Sequence, residues 1–302
     1  MKRRTLLHLL PLLAATPVRG QAKPPVASRV LTRAIPSSDE PLPLVGLGTW
    51  ITFNVGNDPA ARGQCVEVMR NFFSAGGRLI DSSPMYGSSQ DVVGEGLQKL
   101  EARSRVFSAE KVWTTASRGP AQIEATRELW GVPRFDLLQV HNLLAWQEQL
   151  ALLQAMKAQG RLRYVGITTS EARRHREFEA IMRGQRIDFV QLSYNLLDRE
   201  AEERLLPLAQ ERGIAVLANR PFRQGALLRQ LATHPLPGWA GEIGCSSWAQ
   251  VALKFIVSHP AVTCAIPATR NPAHVRENMA AALAPLPDAA LRKRMAHDVA
   301  RL

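Results

Sequence analysis

Residues 136–168 read DLLQVHNLLAWQEQLALLQAMKAQGRLRYVGIT. A short apolar run at 136–141 ends in His141. A helical stretch at 146–159 follows and is stopped by Gly160, and a second apolar run at 164–168 ends in Thr168. Both runs are short and apolar, as strands covered on both faces are. The unit is therefore strand, helix, parallel strand.

The same unit recurs along the chain. Further strand candidates lie at 44–49, 78–81, 111–114, 189–193, 214–218 and 263–266. Helical stretches lie at 59–75, 90–102, 120–130, 171–183, 199–212, 246–258 and 272–283. Asp58-Pro59 supplies a cap before a proline in the first turn. Gly76-Gly77 and Gly213 are helix stops. Eight strand–helix repeats predict an α/β protein, a closed parallel (β/α)8 barrel of TIM type. An open doubly wound sheet also alternates, but Trp50 to Asp58 after the first strand holds no GxGxxG phosphate turn. Residues 223–245, rich in Gly and Pro, read as an excursion after the seventh strand, and 288–302 as a basic terminal helix. No linker interrupts 23–302, which is expected to be one domain.

The chain has 302 residues and is 46% hydrophobic. That composition excludes disordered and collagen-like classes. It opens with Lys2, Arg3 and Arg4, then LLHLLPLLAA, with Gly20-Gln21-Ala22 as a small-residue cleavage site. The pattern predicts a signal peptide at 1–22, with Arg3-Arg4 pointing to a twin-arginine route. The expected location is outside the cytoplasm, in a bacterial periplasm. The apolar run is too short to span a bilayer, so no stable membrane insertion is expected. Cleavage would remove Lys2, Arg3, Arg4 and Arg19 and no acid, so a third of the formal charge of +12 belongs to the leader. The run Arg173-Arg174-His175-Arg176 has no interleaved aromatics, which argues against nucleic acid as partner. Cys65, Cys245 and Cys264 have no CxxC spacing, so neither a zinc site nor a disulfide framework is expected.

In such a barrel the chemistry sits at the carboxyl ends of the strands. Asp81 ends the second strand candidate, and Tyr86 follows it. Lys111 lies on the third and His141 ends the fourth. A nearby cation lowers a tyrosine pKa and fits it for proton transfer. Lys111 would be that cation, with Asp81 holding its ammonium. His141 could donate to a carbonyl oxygen. The group has no nucleophile and no clustered metal ligands. It suits protonation of an oxygen while a cofactor delivers hydride. Trp50, Phe53 and Trp113 are candidates for an apolar substrate pocket.

These residues lie within segments that resemble the aldo/keto reductase family. The segments are GLGTW (46–50), IDSSPMYG (80–87), Lys111-Val112-Trp113, DLLQVHN (136–142), YVGITTS (164–170), DFVQLSYN (188–195) and IPATRNPAHVRENMA (266–280). The resemblance implies an eight-stranded barrel and reduction of an aldehyde or ketone. It implies NADP(H) as cofactor, with NAD(H) as the alternative. Carried over, Tyr86 is the acid, Asp81 and Lys111 tune it, and His141 orients the substrate. Thr168, Thr169 and Gln191 occupy the places that hold the nicotinamide carboxamide. Asn219 stands where an aromatic ring usually stacks, beside Arg220. Thr269, Arg270 and His274 fall in the segment that meets the adenosine phosphate, and Glu277 and Asn278 match its adenine pair. A second class of function is an exported nicotinamide-binding regulatory module with little turnover.

Overall fold

The computed structural model describes residues 30–302. The expected signal peptide at 1–22 lies outside the described residues. Eight parallel strands form one sheet in sequence order: β3 (Leu47–Gly48), β4 (Leu79–Asp81), β5 (Phe107–Val112), β6 (Phe135–Val140), β7 (Leu162–Thr168), β8 (Phe189–Ser193), β9 (Ala215–Asn219) and β10 (Val262–Ala265). The edges meet through parallel bridges Val45↔Ala265 and Gly48↔Ala268. A Cβ on Gly48 would lie 2.7 Å from the Ile266 carbonyl oxygen, so this seam closes only because Gly48 has no side chain.

Before the barrel comes a hairpin, β1 (Thr32–Ala34) with β2 (Pro41–Pro43), which the sequence reading left unassigned. It delivers Ile35 and Leu42 into the barrel interior, where they join Leu79, Phe107, Tyr164 and Phe189. These side chains lie at or near the amino ends of their strands. Alternation along each strand then directs every second residue inward. The interior is apolar at the amino end and polar at the other, where Asp81, Lys111, Gln139, Thr168 and Gln191 are all buried.

The third strand differs from expectation. It runs Phe107–Val112 rather than 111–114, so Lys111 stands near its end, level with Gln139 on β6. Ser108 and Glu110 break the apolar pattern in the sequence, yet both are buried, Ser108 against Asp136 of β6 and Glu110 against Gln90 and Trp130 of the outer helices. The excursion at 223–245 holds two short helices, Ala226–Leu231 and Trp239–Glu242. The terminal helix is Ala289–Val299. Helix Trp248–Val257 is buried along its whole length. Its Lys254 Nζ donates to the carbonyls of Ile243, Leu283 and Pro285 at 2.7, 2.7 and 2.6 Å, which ties the chain after β10 to the barrel. No helix among the described residues is long and apolar enough to cross a membrane.

Candidate active site

Asp81 is the last residue of β4, and its carboxylate is buried. Lys111, one strand away, reaches it with Nζ 2.6 Å from Oδ2 and also donates to the Ser82 carbonyl at 2.7 Å. The other carboxylate oxygen accepts from Gln191 at 2.7 Å and from Gln139 at 3.4 Å. Burial works against the Lys111 ammonium, but Asp81, then Tyr86 and Glu110, outweigh it and hold its pKa above the ordinary lysine value. Lysine therefore stays charged in a place that would otherwise neutralise it.

Tyr86 closes a short 3-10 turn, Pro84–Tyr86, whose start is capped by Ser83. The turn is locked from outside: Asn54 Oδ1 accepts from the Ser88 N–H at 3.0 Å. Gly87 there has φ +61°, and a Cβ would run into the Asn54 side chain. Lys111 Nζ lies 5.0 Å from the Tyr86 ring centroid. The expected lowering of the tyrosine pKa is not the net result. Burial is the largest influence and Lys111 only opposes it, so the phenol is pushed up to about 12. Tyr86 holds its proton at neutral pH.

His141 directly follows β6 and meets Tyr86 edge to face, ring centroids 5.7 Å apart. Burial, helped by Lys111, pushes its pKa down to about 2. The ring is neutral. Ser83 Oγ lies 2.8 Å from Nδ1 and accepts the Met85 N–H at 3.2 Å. A hydroxyl that already accepts a hydrogen bond has its own proton to give. In the tautomer in which Ser83 donates to Nδ1, the ring proton sits on Nε2.

This cleft has a volume of about 870 Å³, within the usual range for a small-molecule site. Trp50, Tyr86, His141 and Asp81 line one part of it. Thr168, Gln191, Asn219 and Arg220, on or just after β7 to β9, and Thr269, His274, Glu277 and Asn278, after β10, line the rest. Asn219 donates to Gln191 Oε1 at 3.3 Å and to the Thr169 carbonyl at 3.2 Å. Four expected residues stand elsewhere. Thr169 is buried and its hydroxyl accepts from the Glu171 N–H at 3.1 Å. Arg270 is exposed and does not line the cleft. Phe53 is fully buried in the core. Trp113 is exposed on the loop after β5, outside the cleft lining. Among the described residues no group of three or more His, Cys, Asp or Glu is placed to hold a metal ion.

Sequence reading passed over three contributors. Ser83 caps the Pro84–Tyr86 turn, and its second hydrogen bond depends on β6 being adjacent. Glu110 was given no role. It is fully buried behind Lys111, accepts from Gln90 Nε2 and Trp130 Nε1 at 3.0 Å each, and is pushed up to about 7 by burial. Phe222, Leu228, Leu236 and Trp248 add an apolar wall from the segment after β9.

A cleft of this volume lined by amide and hydroxyl groups, one arginine, Glu277 and Asn278 is suited to a nicotinamide dinucleotide. Its carboxamide needs paired donors and acceptors, its diphosphate a cation, and its adenine amide or carboxylate partners. The residues present fit that group.

The model of the aldo/keto reductase family matches residues 44–297. Methylglyoxal reductase YeaE of Escherichia coli is 32% identical over 252 residues, covering 81% of this chain and 87% of the relative. An NADH-specific methylglyoxal reductase of the same organism is 28% identical over 241 residues, covering 68% of this chain and 71% of the relative. Among solved structures, an aldo/keto reductase from Klebsiella pneumoniae in complex with NADP and acetate superposes with a TM-score of 0.73 at 26% identity. It covers 86% of this chain and 93% of that one.

Proposed function

The chain belongs to the aldo/keto reductase family, and from that premise we propose that it reduces the carbonyl of an aldehyde or ketone with Tyr86 as the proton donor. The carrying observation is the edge-to-face pairing at the cleft wall of a phenol that keeps its proton with a neutral His141. A carbonyl oxygen between them would accept from His141 and take its proton from Tyr86. Lys111, fixed by Asp81, stabilises the phenolate that remains.

NADP(H), when bound, supplies the hydride. Thr168, Gln191 and Asn219 would hold its carboxamide end, Arg220 its diphosphate, and Glu277 and Asn278 its adenine. NAD(H) is the alternative, since a relative is described as NADH-specific and Arg270 stands off the cleft. We add export, proposed on the leader at 1–22. The reading as a binding module without turnover draws no support from relatives described as reductases.

Purified protein given NADPH or NADH and a panel of aldehydes that includes methylglyoxal should lose the reduced-nicotinamide absorbance and form alcohol in equal amount. Tight cofactor binding by fluorescence with no turnover across the panel would overturn the proposal in favour of the binding module.

A smaller effect follows from Ser83. Ser83→Ala removes the donor that fixes the imidazole tautomer. A hydrogen bond of this kind is worth about 1 kcal/mol, so kcat should fall roughly five- to tenfold. The ¹⁵N spectrum of His141 should change from one tautomer to a mixture. An unchanged spectrum would remove Ser83 from the account.

A further inference from the structure

A second anion stands behind Lys111. β4 pairs with β5 only as far as Ala109, and the Ser82 N–H still donates to the Ala109 carbonyl at 3.1 Å. Two residues on, the chain after β4 has turned away into Pro84–Tyr86. The Lys111 N–H goes instead to Glu110 Oε1 at 2.9 Å. Alternation sends the Lys111 side chain into the barrel and the Glu110 side chain outward. There Oε2 accepts from Gln90 on helix Ser89–Lys99 and from Trp130 on helix Gly119–Trp130, at 3.0 Å each.

The two helices close over this carboxylate. A Cβ on Gly94 would lie 1.8 Å from the Leu129 carbonyl oxygen, so only glycine lets them come this near. Glu110 is 0% exposed. A strand covered on both faces favours apolar residues, and a buried charge is costly, so this acid is no default of the fold. Three N–H donors converge on it, the partners that an ionised carboxylate accepts from. With its pKa at about 7, it is charged throughout the alkaline range in which Tyr86 gives up its proton.

The groups that face the phenol are Asp81 from β4, Lys111 and Glu110 from β5, and the neutral His141 after β6. Lys111 and Asp81 cancel. Gln90 and Trp130 carry no charge, so nothing they contribute neutralises Glu110. Two anions against one cation leave the surroundings negative, which makes a phenolate costly.

We propose that Glu110 is a positioning residue for the proton donor, a second buried anion behind β5 that keeps Tyr86 from ionising until a carbonyl oxygen takes its proton. This rests on the reading of Tyr86 as that donor.

The test reads the phenol directly. Tyrosinate absorbance is followed after a jump to alkaline pH, and the same jump on a Tyr86→Phe counterpart is subtracted, which isolates Tyr86 among the three tyrosines of the chain. In Glu110→Gln the titration of Tyr86 should move down by about one pH unit, and the alkaline decline of aldehyde reduction should move with it. Glu110→Met is a second neutral variant, with an apolar side chain suited to the strand, should the first fail to fold. Glu110→Asp keeps the charge and shortens the arm, so its Tyr86 should titrate close to the parent. A folded neutral variant whose Tyr86 titrates with the parent overturns the proposal and leaves Glu110 to the fold. An equal drop in the Asp variant assigns the effect to shape and overturns it too. The absorbance needs no turnover. A Tyr86 that shifts as expected in a protein that reduces no aldehyde therefore sinks the carbonyl-reducing reading and leaves the charge balance standing.

Discussion

Tyr86→Phe is expected to lower kcat for carbonyl reduction by about 10²–10⁴-fold while cofactor affinity stays close to that of the parent protein. The substitution removes one oxygen. It keeps the ring that packs edge to face on His141, and it leaves the Lys111–Asp81 pair intact. Only the proton donor is lost. The pH profile gives an independent check. With the phenol pushed up to about 12, the acid stays protonated across the neutral range, so reduction should run flat there and decline only in strong alkali. Alcohol oxidation needs the phenolate and should climb with pH over the same range. A Phe variant that reduces aldehydes as fast as the parent would remove Tyr86 from the chemistry, and a reduction rate that halves near pH 7 would show that another group supplies the proton.

The barrel was legible because its strands are short apolar runs separated by helices. The polar residues that end those runs were legible as a site for the same reason: alternation turns the last inward positions of β4, β5, β7 and β8 toward one mouth. Asp81, Tyr86, Lys111 and His141 are brought together there. What failed was anything set by burial. The start of β5 was missed because Ser108 and Glu110 look solvated in sequence, whereas Asp136 Oδ2 takes the Ser108 hydroxyl and N–H and Gln90 and Trp130 serve Glu110. The direction of the Tyr86 shift was read from its cation alone. Desolvation, which no sequence displays, is the larger influence. Phe53 and Trp113 were both expected at the substrate pocket, and neither lines the cleft: the first packs into the core, the second faces solvent. The hairpin was invisible because β1 and β2 have three residues each and β2 is bounded by prolines.

The second large effect concerns stability and activity together. Lys111 and Asp81 are almost wholly removed from solvent, with side chains 0 and 3% exposed. Breaking a buried pair by deleting one partner costs about 3–5 kcal/mol, because the other charge is left in a low-dielectric site. The two deletions should not cost the same. After Lys111→Met the Asp81 carboxylate still accepts from Gln191 and Gln139, so the cost should fall near about 3 kcal/mol. After Asp81→Leu the Lys111 ammonium keeps only the Ser82 carbonyl as a hydrogen-bond partner and loses the largest charge that offsets its burial, so the cost should approach about 5 kcal/mol. The double variant has neither charge, and replacing a buried pair by apolar groups is often close to neutral. Its stability in urea should therefore return above that of either single variant, a coupling visible in a double-mutant cycle. Activity should not return with it. In Lys111→Met and in the double variant a phenolate left by proton transfer would have no cation beside it, so both should be slow reducers even where they are folded. A double variant that recovers both stability and turnover would show that the pair serves the fold alone. One that recovers stability only separates what the pair does for the barrel from what Lys111 does for Tyr86.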